Sequence, residues 1–137
     1  MADMFTAEQR SEIMSHIRST DTAPELALRS QIHRLGLRFR LHRNDLPGKP
    51  DLVLPKHRLV VMMHGCFWHG HNCKDGRRPS SNSDYWNQKL DRNVSRDKRN
   101  VRSLQRLGWR CLIVWECELR NWEQVEKRIM KLIGVEA

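Results

Sequence analysis

Gly48–Cys73, GKPDLVLPKHRLVVMMHGCFWHGHNC, changes character twice along its length. Pro50 and Asp51 lead a short apolar run, Leu52 to Leu54, which turns at Pro55 and Lys56 into a second run, Leu59 to Met63. Short apolar runs bounded by Pro and Gly predict two adjacent β-strands. The apolar pattern stops at His64-Gly65, and Cys66, Phe67, Trp68, His69, His71 and Cys73 follow. One end of one hairpin thus gathers a carboxylate, imidazoles, thiols and two aromatics.

Upstream, Leu37 to His42 alternates apolar and polar, which predicts a strand with one solvated face. Before it, Thr22-Ala23-Pro24-Glu25 reads as a capping box opening a helix that buries Leu28, Ile32 and Leu35 and stops at Gly36. An earlier helix opens at Thr6-Ala7-Glu8-Gln9, and its stripe Ile13, Met14 and Ile17 reads from spacing as docked on the core. Downstream, the basic Gly/Pro/Ser-rich loop Lys74 to Ser83 is expected to be mobile or ordered by a ligand. Leu90, Val94, Val101, Leu104 and Leu107 form one face of a long helix that begins near Ser83 or Asp84 and ends at Gly108. Cys111 to Trp115 reads as a central strand, and Asn121 and Gln124 open a last helix burying Val125, Ile129 and Leu132. A long helix returning to an apolar strand is the crossover of an α/β fold with a mixed sheet.

The chain has 137 residues, suited to one domain, and Lys+Arg 25 against Asp+Glu 16 give a formal net charge of +9. That excess points to a polyanion partner, nucleic acid first. It is spread unevenly: residues 1–30 hold three basic and five acidic side chains, whereas Arg34, Arg38, Arg40, Arg43, Lys49, Lys56 and Arg58 crowd residues 31–60. No apolar window has the length of a membrane span and no signal peptide opens the chain, so a cytoplasmic protein is expected. Its four cysteines then read as thiols or metal ligands.

Cys66, His71 and Cys73 can converge on one ion, and a structural zinc site needs a fourth ligand. Cys117, just past a strand end, and Cys111, at the other end of that strand, are the choices, with more distant histidines as lesser options and Cys111 reading more naturally as a small core residue. Asp51 suits magnesium held against a phosphate. Pro50-Asp51 opens a PD-(D/E)xK nuclease signature, but Met62, Met63 and His64 stand where its acid and lysine belong. Asp97 lies on the apolar stripe of the long helix and needs a partner, either an arginine or His69.

The segments MSHIRSTDTAPE, LPGKPDLVLP, HGCFWHGHNC, NVSRDKRN and LGWRCLIVWEC, in this order and spacing, span nearly the whole chain. In them the chain resembles the very short patch repair (Vsr) DNA mismatch endonucleases, which depart from the standard nuclease signature in this same way. The resemblance implies a PD-(D/E)xK restriction-endonuclease-like α/β fold: a central mixed sheet flanked by helices, with a structural zinc site. It implies one domain, residues 1–20 forming a DNA-contacting helix region and residues 21–137 the catalytic core.

The implied activity is magnesium-dependent nicking of double-stranded DNA 5′ of the mispaired thymine at a T:G mismatch. Asp51 matches the magnesium ligand and the Met63 backbone carbonyl its partner; the family usually has threonine at Met63, so any hydroxyl contribution is absent. His69 matches the residue that activates water, Asp97 its orienting carboxylate, and His64 and Glu25 the surrounding magnesium and phosphate shell. Cys66, His71, Cys73 and Cys117 match the zinc ligands. Phe67, Trp68 and Trp86 match an aromatic wedge entering the duplex, and Met14 and Ile17 an element reaching the opposite groove, against the core reading of that stripe. The resemblance also implies a monomer on DNA, in the bacterial nucleoid, coupled functionally to a cytosine-5 methyltransferase and to mismatch-repair proteins. Two other readings of the residues are a zinc-stabilised, noncatalytic DNA-binding module and a PD-(D/E)xK nuclease with another target.

Overall fold

The computed structural model describes residues 22–134, apart from the side chain of Asp75. The expected first helix, with Ile13, Met14 and Ile17, lies outside the described residues. The elements are helix α1 (Ala23–Arg34), strands β1 (Arg40–Leu41), β2 (Leu52–Leu54) and β3 (Leu59–His64), helix α2 (Ser83–Arg106), strand β4 (Arg110–Trp115) and helix α3 (Trp122–Leu132). The sheet order is β1-β2-β3-β4. β1, β2 and β3 are antiparallel neighbours, whereas β4 runs parallel to β3 from Leu59↔Arg110 to His64↔Trp115.

Side chains alternate across a sheet, so each strand feeds two layers. Leu52, Leu54, Leu59, Val61, Met63, Leu112 and Val114 pack on one face with Leu28 and Ile32 of α1 and Val125 and Ile129 of α3. Val53, Val60 and Met62 pack on the other with Leu46, Leu104 and Trp109. All six residues of β3 are buried, as expected of a strand covered on both faces. Among the described residues, no helix is long and apolar enough to cross a membrane.

Thr22 caps helix α1 as its sequence predicts. The Glu25 amide donates to the Thr22 hydroxyl at 3.4 Å, and Gly36, at φ +79°, takes the left-handed turn beyond its last residues. Three expectations need correction. The strand expected over Leu37–His42 shrinks to Arg40–Leu41, because β2 offers only Leu52 and Val53 as partners and His42 turns to φ +48°. Leu107 is 53% exposed rather than buried, since α2 stops before it and Gly108, at φ +90°, redirects the chain into β4. Asn121 makes no side-chain cap. A 3-10 turn, Glu116–Asn121, precedes α3 instead, and Glu118 fixes it by accepting from the Trp115 amide at 2.9 Å and pairing with Arg128 at 2.6 Å.

The loop expected to be mobile or ordered by a ligand is tied down at Gly76 and Arg78. A Cβ at Gly76 would sit 2.0 Å from the His71 carbonyl oxygen, so only glycine lets the loop lie against the His/Cys segment. Arg78 then donates to Asn87 at 3.0 Å and to Asp91 at 2.8 Å on α2.

The layer assignment separates two leucines one helical turn apart. Leu104→Ala should lower unfolding free energy in urea by about 2–5 kcal/mol, whereas Leu107→Ala should change it by less than about 1 kcal/mol. Equal costs would contradict the observed end of α2.

Candidate active site and metal cluster

Asp51 sits where β2 begins, and its carboxylate turns toward β3 to accept the Met63 amide at 2.7 Å. Burial pushes this carboxyl up to about 6, the nearby Glu25 adds to the rise, and the Met63 amide opposes it. Glu25, in the first turn of α1, is 5% exposed. Its Oε2 lies 3.4 Å from Arg29 Nη2 and 3.8 Å from His42 Nε2, and Arg29 Nη2 is 2.9 Å from the same His42 nitrogen. Glu25, His42 and Asp51 can each offer a ligand atom within 4.8 Å of the others. Two carboxylates and an imidazole at this separation suit a divalent cation, which would relieve the crowding of negative charge.

Around the corner of β3, His64 and His69 stack with ring centroids 3.9 Å apart and planes 10° apart. His69 Nδ1 is 2.5 Å from Asp97 Oδ2. Burial works against charge on Asp97, but the His69 bond and the charges of His69, His64 and Arg96 together outweigh it and hold the carboxyl below the ordinary carboxylate range. Arg96 Nη2 lies 3.8 Å from the other Asp97 oxygen, so Asp97 meets both partners that the sequence offered it. Burial, with the His69 charge second, pushes His64 down to about 4, which leaves it neutral at pH 7. Its Nδ1 is buried with no hydrogen-bond partner among the described residues. Glu25, Asp51, Met63, His64, His69 and Asp97 all line one cavity of about 510 Å³.

A second constellation lies behind this cavity. Cys66, His71, Cys73 and Cys117 each bring one ligand atom within 4.8 Å of the others, which gives the cluster the capacity to hold a structural metal. His71 Nδ1 is 3.5 Å from Cys117 Sγ, and the His71 ring stacks on Trp115 at 4.1 Å. The loop folds tightly: the His71 amide donates to the Cys66 carbonyl at 3.0 Å, and the Cys73 amide to the His71 carbonyl at 3.0 Å. Burial pushes the Cys66 thiol up to about 12 and raises Cys117 as well, so cation binding must displace their protons. Cys111 stands apart from the cluster and packs, partly buried, in the layer under α2.

Phe67 and Trp68 are half-buried and meet edge to face at 5.1 Å. Trp86 lies behind them at 5.3 Å and 6.0 Å and is only 4% exposed. Asn93 Nδ2 donates to the Trp68 carbonyl at 2.9 Å, tying the aromatic loop to α2. Met14 and Ile17 lie outside the described residues.

Sequence reasoning missed His42. Its signal was the sheet register, because extending Arg40↔Val53 and Leu41↔Leu52 by one residue sets His42 opposite Asp51, and the His42 amide indeed donates to the Asp51 carbonyl at 3.4 Å.

The family DNA mismatch endonuclease Vsr matches residues 2–75. The chain is 47% identical over 133 residues to the type II nicking enzyme V.XorIIP of Xanthomonas oryzae pv. oryzae, covering 97% of this chain and 98% of that protein. It is 45% identical over 125 residues to the DNA mismatch endonuclease Vsr of Escherichia coli, covering 91% of this chain and 80% of that one. In fold it is similar to the catalytic domain of the homing endonuclease I-Bth0305I, with a TM-score of 0.58, 21% identity, and coverage of 82% and 94% of the two chains. The mixed sheet flanked by helices and this likeness together match a PD-(D/E)xK-like fold. On these matches the chain belongs to the Vsr family of DNA mismatch endonucleases.

Proposed function

We propose that this protein is a hydrolytic endonuclease that nicks one strand of double-stranded DNA 5′ of the mispaired thymine at a T:G mismatch, leaving a 5′-phosphate and a 3′-hydroxyl. The observation that carries the reading is the convergence of Asp51, His64 and the His69–Asp97 pair on one cavity in a chain of this family. A noncatalytic DNA-binding module would have no use for that pair.

In this reading Asp51 and the Met63 carbonyl would hold a magnesium ion, with Glu25 beside them. Magnesium bound there would neutralise charge on the phosphoryl oxygens and the leaving 3′ oxygen. His69 accepts the proton of the attacking water through Nε2, since its Nδ1 is engaged by Asp97. Asp97 fixes that tautomer and stabilises the imidazolium that forms. Neutral His64, stacked on His69, adds no second positive charge. Phe67 and Trp68 form the edge of the wedge, with buried Trp86 as its support; unstacking a base step is cheapest at a mismatch, which makes a wedge selective. Residues 1–20 act as a DNA-contacting region on a single catalytic core. Cys66, His71, Cys73 and Cys117 would hold zinc, whose preference for four sulfur and nitrogen ligands matches the set.

The reading is tested by single-turnover cleavage of T:G, T:T, matched and branched duplexes with magnesium, using the unaltered protein and Asp51→Asn. Nicking confined to the mismatched thymine strand, lost in Asp51→Asn while mismatch binding persists, is expected. The same variant carries a stability signature. Asp51 has a folded pKa of about 6 against an ordinary 3.8, so its contribution to stability is fully present below pH 4 and is lost as pH rises through 6. Without magnesium, Asp51→Asn should therefore be more stable at pH 7.5, by about 1–3 kcal/mol, with the gain shrinking toward zero below pH 4. Cleavage within a few-fold of the unaltered rate, or a less stable variant at pH 7.5, would count against the assignment.

Zinc is tested by stoichiometry. About one zinc per chain should survive purification and persist in Cys111→Ala, at a stability cost of about 1 kcal/mol. Cys117→Ala should lose the ion together with thermal stability and cleavage. The reverse pattern would overturn the ligand set.

A further inference from the structure

Lys49 holds a backbone conformation that a lysine adopts at a cost. Its φ is +46°, in the left-handed region, directly after Gly48 at φ +75°. Such strain persists only where the surroundings enforce it, and it collects at functional sites. The enforcement is visible. A Cβ at Gly48 would sit 2.9 Å from Asn100 Cγ on α2, Leu46 is buried in the layer under that helix, and the Lys49 amide donates to the Leu46 carbonyl at 3.2 Å. The turn is thus clamped against α2 just before Pro50 and Asp51.

Nothing in the packing explains a lysine here, because its side chain is exposed and glycine would relieve the strain. The ammonium belongs to a residue lining the cavity that contains Asp51, His69 and Asp97. The other cation on that lining, Arg96, lies 3.8 Å from Asp97. Lys49 makes no side-chain hydrogen bond or ion pair with any described residue. Strand β3 offers no ammonium to this cavity, since Met62, Met63 and His64 line it there. A cavity with three carboxylates repels a phosphodiester, and the lysine among its lining residues is the group that can offset this.

We propose that Lys49 is a further catalytic residue, its ammonium contacting a non-bridging oxygen of the scissile phosphodiester as charge builds there. The proposal rests on the nuclease reading above.

The test uses the full chain with Lys49→Gly and Lys49→Arg, a T:G duplex, magnesium, and saturating protein. Glycine removes the cation and the strain together, so Lys49→Gly should melt at the same temperature as the unaltered protein or higher while its single-turnover rate falls roughly 10²-fold. Its dissociation constant for the duplex should change only a few-fold, and Lys49→Arg should restore the rate to within several-fold. An unchanged rate in Lys49→Gly, a loss seen only in affinity, or a loss that accompanies a lower melting temperature or that arginine does not rescue would overturn the proposal. If the unaltered protein nicks the duplex and Asp51→Asn does not, any of those failures belongs to Lys49 alone. If the unaltered protein does not nick, the nuclease reading falls and this proposal with it.

Discussion

The parallel pairing of β3 with β4 is the constraint from which the site follows. Parallel neighbours cannot be joined by a tight turn; the chain must cross from the end of one strand back to the start of the next. That crossover is α2, and the two strands then finish side by side at His64 and Trp115. Whatever follows each strand therefore emerges at the same edge. After β3 come Cys66, His69, His71 and Cys73; after β4 comes Cys117. The metal cluster closes across this shared edge, and Trp115 stacks against His71 to complete it. As α2 crosses the sheet it carries Asp97 back over the same edge to meet His69. The His69–Asp97 pair and the Cys/His cluster are both consequences of one strand pairing.

The candidate site gathers groups that the fold holds at some cost. Asp51 is buried near Glu25, so its carboxyl rises to about 6, and His64 is buried until it falls to about 4. Opposite shifts have one cause, since burial disfavours the charged form of either group. Their effects on stability run in opposite directions with pH. The Asp51 contribution fades as pH climbs from 4 to 6, whereas a histidine that stays neutral when folded favours the native state more as pH rises from 4 toward 6.5. The His69–Asp97 bond and the metal cluster, by contrast, tie the loop to α2 and to the end of β4, and so hold it in the geometry the strained and buried groups require.

Much of this was legible because local signals and tertiary demands agreed. The β2–β3 hairpin could be read from apolar runs flanking Pro55, and α1 from Thr22 and Gly36, since each end carries its own chemical mark. The failures are places where a partner decided. Leu107 continues the apolar period of α2, yet Gly108 turns the chain before a further turn can bury it. Asn121 has the chemistry of a cap, but Glu118 reaches the Trp115 amide and fixes the preceding turn instead. Leu37–His42 alternates as a strand should, while the neighbouring strand is too short to pair with most of it. His42 became visible only through register, because nothing in its own neighbourhood announces that it faces Glu25 and Asp51. Asp97 could not be assigned by spacing because the fold gives it both an arginine and a histidine.

The central claim is that the crossover helix delivers Asp97 to His69 so that the two act as a unit, and a double-mutant cycle measures it directly. His69→Ala should slow single-turnover nicking by roughly 10²- to 10⁴-fold with metal content unchanged. Asp97→Asn should slow the same step, and the double variant should cost far less than the two losses multiplied. Fully multiplicative losses would mean that Asp97 only anchors α2, and that the convergence at the edge of β3 and β4 is structural rather than catalytic.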